Sequence, residues 1–365
     1  MSDRTAGDRT ASAPVTTRPA ADDTRPVRAV RGRVWSGILW LAWRQHRAAL
    51  IGFAAVTAVL LVWMAVNAAE LRSAMDLCHG SDCTKAVADE RAARIRDAAD
   101  LAGHQLNLVV FLPAMIGTFL GVPLLAKEYE HRTLLLAWSQ DLSPQRWLFG
   151  KLAVLGTAVA VLSAALAAEC LHVSQLVHLA DRRSLFEGTL FQAGGWMPLT
   201  LGLTWAMFGV AAGAALRRLL PAFAVVLGAF GLRNWAMEQL RPHLLDPLTR
   251  VLPLGPDRSA GADPLAAVPN ELLLDGGKAP FVDAAGHVHA YGDVMTQYCG
   301  SIPDGRGDAF VSCLQQQGLV GVQQAYQPAS RLGIFHLIEN GLNLTVFVLS
   351  LALTWWLVRR GRTTV

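Results

Sequence analysis

The chain has 365 residues and a formal net charge of +4, with 53% hydrophobic and only 16% charged residues. A soluble domain usually carries about 25% charged residues, so this composition and a mean hydropathy of +0.33 argue against a soluble protein. The apolar residues also fall in long uninterrupted blocks, which predicts an integral membrane protein.

The chain begins with a polar segment and a short apolar one. Residues 1–30 are rich in Asp, Arg, Thr, Ala and Pro without apolar periodicity, which predicts a disordered cytoplasmic tail and no cleavable signal peptide. Residues 31–47 hold an apolar stretch too short to cross a bilayer, with tryptophans beside arginines. That combination is typical of the headgroup layer, so we expect an interfacial elbow helix leading into the first span.

Long apolar blocks follow. Crossing a bilayer requires roughly 20 apolar residues in a helix, and most of the blocks meet this length. The fifth is interrupted by Arg233, so it either continues to Leu240 or enters the bilayer and returns without crossing. We predict an all-α integral membrane protein with six transmembrane helices in a transmembrane domain of residues 48–365. The expected spans are residues 48–69, 106–126, 151–175, 196–216, 219–238 and 336–358.

Positive charge predicts the orientation. With six spans, the side that carries both termini holds 18 Lys and Arg residues in 81 positions, against 13 in 154 on the other side. Cytoplasmic loops carry the excess of Lys and Arg, so both termini are predicted to be cytoplasmic. The segment between spans 5 and 6, residues 237–333, is then a large extracellular loop, for which its prolines predict short turns and a small lobe.

The outer loops contain two close cysteine pairs, Cys78 with Cys83 and Cys299 with Cys313. Such pairs on the extracellular side fit two local disulfides, although four reduced thiols are an alternative that spacing alone leaves open. Neither pair has zinc-ligand spacing, and the histidines of His287-Val288-His289 have no nearby acid or thiol in sequence. We therefore expect no metal site.

Four polar side chains fall within or beside the predicted spans: Glu169, His172, Arg233 and Glu339. One interpretation is a polar outer vestibule along a translocation path, with Glu169 paired to Arg233, because ionisable groups in lipid usually face a partner or water. The simpler interpretation, which we favour, is that all four lie at the outer interface, where charges are cheaply accommodated.

Two glycine pairs at a spacing of four occur in the spans, Gly117 with Gly121 and Gly209 with Gly213. Glycine at this spacing allows close helix approach. Small residues are common throughout these spans, so we expect packing within the bundle rather than a dedicated dimer face.

Spans 2 and 3 are separated by a charged segment, residues 127–150, that the predicted topology places in the cytoplasm. Ser143 and Pro144 suit the cap and first turn of a helix, which predicts two short helices broken at that point. A phosphate-binding loop and hydrolase motifs are absent from the sequence, so no catalytic residue is predicted. An intramembrane enzyme is correspondingly disfavoured.

Residues in and around this segment carry a family resemblance. The run from Pro123 to Lys151 resembles the ABC-2 type permeases of high-GC actinobacteria, with Arg132 where that family tends to have glycine. In those permeases the loop between spans 2 and 3 docks on a separate ATP-binding subunit. The resemblance assigns this coupling role to Glu128, Glu130, His131, Thr133, Trp138, Gln140, Arg146, Trp147 and Lys151.

The resemblance implies the membrane subunit of an ABC exporter in the plasma membrane, moving a hydrophobic or amphipathic compound of the drug or lipid class. ATP and magnesium would bind the partner ATPase and not this chain. A second permease chain, identical or paralogous, and the lipid bilayer are the other expected partners, and no nucleic acid is expected. The alternative is a partner-free channel, or an envelope sensor that uses the 237–333 lobe.

Overall fold

A computed structural model describes residues 27–77, 83–131, 143–254, 271–275, 278–300 and 308–360. The predicted tail up to residue 26 lies outside the described residues, as do Cys78, Thr133, Trp138 and Gln140. The helices that form the body of the protein are α1 (Val27–Asp76), α2 (Lys85–Met115), α3 (Pro123–Glu130), α4 (Pro144–Asp181), α5 (Gly188–Ala193), α6 (Met197–Leu216), α7 (Leu219–Leu240) and α10 (Leu332–Arg360), with α8 (Tyr291–Val294) and α9 (Asp308–Gln316) between α7 and α10.

Within the described residues, six helical segments are long and apolar enough to cross a membrane. They contain α1, the combined α2 and α3, α4, α6, α7 and α10, in that order. The predicted fold class, an all-α integral membrane protein with six spans, is therefore confirmed.

The first span belongs to a single helix of 50 residues. At 1.5 Å per residue it is roughly 75 Å long, so it extends well beyond a bilayer core of about 30 Å. Its first half does not end in a separate elbow. Instead, Ile38 and Ala42 are buried, and a Cβ at Gly150 of α4 would lie 2.3 Å from Ile38 Cγ2, while Trp40 is exposed. An interfacial position for residues 31–47 stays a prediction.

The second span is continuous but irregular. Helix α2 passes into a π-helical stretch, Ile116–Gly121, and α3 follows with Pro123 in its first turn. Proline has no backbone N–H and clashes with the preceding turn, which disturbs the regular hydrogen-bond ladder here. The acidic and basic stretch that begins at Lys85 forms the first part of this same helix.

The third span begins in the charged segment. As predicted, Ser143 caps α4, with its Oγ accepting from the backbone N–H of Arg146 at 3.4 Å, and Pro144 occupies the first turn. Helix α4 then runs for 38 residues without a break. The second of the two short helices expected from sequence is therefore the first part of span 3, because no proline follows Pro144 to end it.

The fifth predicted span is one continuous helix. Helix α7 has 22 residues and continues through Arg233 to Leu240. Its length of roughly 33 Å is sufficient for a full crossing. Arg233 is accommodated because a carboxylate from α10 pairs with it.

The segment between α7 and α10 contains a small antiparallel sheet that the sequence did not predict. Its strands are β1 (Leu248–Pro253), β2 (Leu272–Leu273), β3 (Phe281–Asp283), β4 (Val288–His289) and β5 (Leu319–Gln327). Strand β5 pairs with β1, β2 and β3, and β4 pairs with β3. Phe281, Phe310 and Val322 are buried in a separate core, against which a disulfide joins Cys299 to Cys313.

Helix α6 packs against span 2 through the two glycine pairs. A Cβ at Gly209 would lie 2.1 Å from the carbonyl oxygen of Gly117, and one at Gly121 would lie 2.4 Å from that of Ala206. A Cβ at Gly213 would lie 2.5 Å from the carbonyl oxygen of Val122. Real side chains are not tolerated at such distances, so the prediction that these glycines pack within the bundle is confirmed.

Candidate functional site

The cytoplasmic end predicted for span 2 is joined to span 3 by a buried ion pair. The Lys151 ammonium on α4 donates to Glu128 Oε1 on α3. The Lys151 side chain is only 3% exposed, and its nitrogen also lies 4.4 Å from the centroid of the buried Trp147 ring. A buried cation requires such compensation, because removing it from water is costly.

The same end of span 2 is joined to span 5 by a helix cap. Glu130 Oε1 accepts a hydrogen bond of 2.9 Å from the backbone N–H of Leu219, the first residue of α7. The first N–H groups of a helix have no partner within the helix, and Arg218 at the cap position provides none from its side chain. Glu130 fills that role, and its negative charge suits the positive end of the helix dipole. Beside it, the Arg217 guanidinium lies 5.2 Å from the Tyr129 ring centroid.

The remaining candidate coupling residues within the described part of the chain face outward. His131, which follows α3, and Arg146, in the first turn of α4, are both exposed. The candidate coupling residues therefore divide into two groups. Glu128, Trp147 and Lys151 lie inside the protein, whereas His131 and Arg146 are accessible to a partner.

A second ionic cluster joins the last part of α7, and the residue that follows it, to the first part of α10. Glu339 is fully buried, and its two oxygens accept from Arg233 Nη2 at 2.9 Å and from Arg241 Nε at 2.7 Å. Arg241 is also buried, and its guanidinium carbon lies 4.1 Å from the Phe191 ring centroid. Glu339 is thus enclosed by protein, and Arg233 pairs with it rather than with Glu169.

Glu169 and His172 lie elsewhere, on α4. His172 Nε2 accepts a hydrogen bond of 2.6 Å from Arg72 of α1, and Glu169 Oε1 is buried without a hydrogen-bond partner. The structure therefore brings two of the four candidate path residues together, Arg233 and Glu339, and separates them from the other two.

The lobe between α7 and α10 places a carboxylate beside the two histidines considered for metal binding. Asp283 accepts from the backbone N–H of His287 at 2.9 Å, and its Oδ2 lies 3.2 Å from His289 Nε2 and 3.1 Å from His287 Nδ1. These bonds hold the pKa of the Asp283 carboxyl below its ordinary value, the backbone bond from His287 having the largest effect. No group of three potential ligands with metal-binding geometry occurs in the described residues.

Three cations of these sites were not identified from the sequence: Arg72, Arg217 and Arg241. Arg217 stands directly after an apolar segment and Arg241 shortly after the predicted fifth span, where an arginine ordinarily marks the membrane boundary. Only their partners distinguish them from boundary residues, and those partners are distant in sequence. Arg241, for example, is 98 positions from Glu339.

Six apolar helices with ionic links between them define a multi-pass membrane protein, and its class follows from comparison with known families. The chain belongs to the ABC-2 membrane transporter related family, whose model matches residues 54–241, just over half of its length. Membership makes it a membrane subunit of a transporter, and the family implies an ABC ATPase partner in general. Comparison with curated proteins and with solved structures finds no match.

Proposed function

We propose that this chain is the membrane-spanning permease of an ABC exporter in the plasma membrane, with both termini in the cytoplasm. A separate subunit binds ATP and magnesium, and two permease chains enclose the path. One observation carries the coupling part of this proposal. Two neighbouring acids at the end of span 2, Glu128 and Glu130, are attached to spans 3 and 5 respectively.

This arrangement gives a route for mechanical coupling. A partner that docks on the exposed surface around His131 and Arg146 displaces the end of span 2. Because Glu128 holds Lys151 and Glu130 caps α7, the same displacement reaches spans 3 and 5. The partner drives transport only if it contacts the two arrangements of the bundle with different free energies.

The compound class rests on the lining of the helix bundle. A cavity of about 290 Å³ lies between α4, α6 and α10 and is lined by apolar side chains, among them Phe149, Met207 and Phe347. Such a lining suits a hydrophobic or amphipathic compound of the drug or lipid class. The Glu339 cluster, which links spans 5 and 6, is the polar element that would have to shift on an outward path.

The test is reconstitution of the permease with its ATPase in proteoliposomes, following ATP hydrolysis and export of a fluorescent amphipathic dye separately. Glu130→Ala is expected to reduce dye export several-fold while hydrolysis continues, because the attachment to α7 is lost. Glu238→Ala, which removes an exposed acid near the other end of the same helix, is the matched control and should export normally.

Two results would contradict the proposal. Normal export by Glu130→Ala would show that this link does not couple the two processes. Dye movement by the purified chain alone, without ATPase or ATP, would instead favour the partner-free channel.

A further inference from the structure

A cavity of about 200 Å³ opens between α1, the end of span 2 and the start of α4, and no role proposed above uses it. The side chains that line it change from polar to apolar along the helix axes, in the same direction in space on all three elements. On α1, His46 is followed one turn later by Leu50, and on α4, Lys151 is followed by Leu155. Span 2 runs the opposite way, from Phe119 to Lys127, over roughly 12 Å.

One end of the cavity is therefore polar, and the other end is apolar. The polar end lies at the Lys127 and Lys151 end of the bundle, and the apolar end points toward the middle of spans 1 to 3. Phe119, at the apolar end, is 54% exposed on the surface of the bundle. This is the arrangement that an amphipathic molecule standing upright in a bilayer leaflet requires, with its headgroup at the boundary and its chain alongside the protein.

The polar end carries an excess of positive charge. Lys151 is already compensated by Glu128, but Lys127 has no carboxylate within ion-pair distance among the described residues. Nearby, His46 Nε2 is buried and has no hydrogen-bond partner. An ammonium group and an imidazole with its proton on Nε2 together favour a ligand that supplies anionic oxygen atoms, since charge-assisted hydrogen bonds are the strong ones.

From this combination we infer that the cavity binds an anionic phospholipid of the leaflet at this end, the inner leaflet in the proposed orientation. Its phosphate lies between Lys127 and His46, and the first carbons of its chains lie along Leu50, Leu120 and Leu155. The volume admits a headgroup and the beginning of the chains rather than a whole lipid. The ligand would sit beside the Lys151–Glu128 pair, so membrane composition would act on the link between spans 2 and 3.

The test measures lipid binding to the purified full chain in neutral detergent by native mass spectrometry and by lipid-dependent thermal shift. Phosphatidylglycerol and phosphatidylcholine with identical acyl chains are compared. The wild type should prefer phosphatidylglycerol, and Lys127→Gln should weaken its binding about tenfold, the value of one charge-assisted hydrogen bond. Lys127→Arg should retain most of the affinity.

Two further variants distinguish lipid binding in the cavity from general attraction of the lipid to positive charge on the surface. Arg47→Gln removes the same charge from an exposed position of α1 next to His46, outside the cavity lining, and should bind as the wild type does. Ala49→Phe leaves every charge in place but fills the space, and should weaken binding. Equal losses in Arg47→Gln and Lys127→Gln, or undiminished binding by Ala49→Phe, would overturn the inference.

A soluble anion is the remaining alternative for the site. Glycerol phosphate should fail to displace phosphatidylglycerol, because it makes no contact with the apolar end. Displacement at comparable concentration would assign the cavity to a free anion and refute the lipid assignment. The measurement involves neither ATP nor transport, so its outcome is independent of whether the proposed exporter function holds.

Discussion

Glu130 Oε1 accepts a hydrogen bond from the backbone N–H of Leu219 across 89 positions of sequence. A residue at the end of one span therefore supplies the N-cap of another. The contact is a single hydrogen bond, but it lies beside the surface on which the proposed ATPase partner would dock. Its removal can be tested separately from any transport assay.

Replacing Glu130 with alanine should weaken the first turn of α7. Loss of an N-cap acceptor costs about 1 kcal/mol, so the thermal midpoint in detergent should fall by a few degrees. Hydrogen exchange at the Leu219 amide should accelerate. Glu130→Gln keeps a carbonyl acceptor and is expected to lose less. Unchanged exchange in Glu130→Ala would mean that another group caps this helix.

Replacing Glu128 with alanine should destabilise the protein more severely. The buried Lys151 ammonium would then have no counter-ion, and breaking one side of a buried pair costs about 3–5 kcal/mol. The double variant Glu128→Gln with Lys151→Met removes both charges and should recover much of that loss. A double-mutant cycle of thermal midpoints, with Glu128→Gln and Lys151→Met as the two single variants, measures the coupling, and strictly additive effects would argue against the pair.

Replacing Gly209 with alanine should force spans 2 and 4 apart. The new Cβ would lie 2.1 Å from the backbone carbonyl oxygen of Gly117, which cannot turn aside as a flexible side chain could. Overpacking of this kind costs about 1–3 kcal/mol. Gly228→Ala is the control, because no atom lies within 4 Å of its added Cβ, and its midpoint should not fall. Equal midpoints for the two variants would contradict the close contact.

Replacing Glu339 with glutamine should leave Arg233 and Arg241 uncompensated in a buried site. We expect a loss of about 3–5 kcal/mol, measured as a lower thermal midpoint or a lower yield of folded protein. Glu238→Gln changes an exposed acid near the same end of α7 and should have little effect. A wild-type midpoint for Glu339→Gln would indicate that water or another anion neutralises the arginines.

Replacing Cys299 and Cys313 with serine should loosen the lobe between α7 and α10. The bond spans 14 positions, and closure of a loop of this size stabilises the fold by about 3 kcal/mol. Proteolysis of the lobe on intact cells should be faster in the variant than in the wild type. Cleavage only in inverted vesicles would show that the lobe faces the cytoplasm, against the proposed orientation.

The sequence was informative wherever the environment of a residue depends on its near neighbours. Apolar blocks predicted the spans because crossing a bilayer sets a minimum length for any helix. The start of α4 followed from Ser143 and Pro144, whose effects are confined to one turn. The glycine pairs predicted close packing because a residue without a Cβ lets any neighbouring helix approach closely, whichever helix that is.

The sequence was less informative about the Glu128–Lys151 pair and the cluster around Glu339. Glu128, Lys151, Arg233 and Glu339 were all identified as unusual, but the sequence did not predict which of them pair with each other. It also did not identify Arg241, which resembles an ordinary boundary residue, and it did not predict strand β5 or its partners. In each case the missing information was a contact between residues far apart in the chain.

By itself, the sequence determined that this chain has six helices able to span a membrane, and it singled out the charged residues that fall within or beside them. Tertiary structure alone decided that the two acids at the end of span 2 bond to Lys151 and to the start of α7, and that one carboxylate holds two arginines. The physical reason is that hydrophobic length acts along the chain, whereas a buried charge is stabilised by whichever partner the folded bundle brings within hydrogen-bond distance.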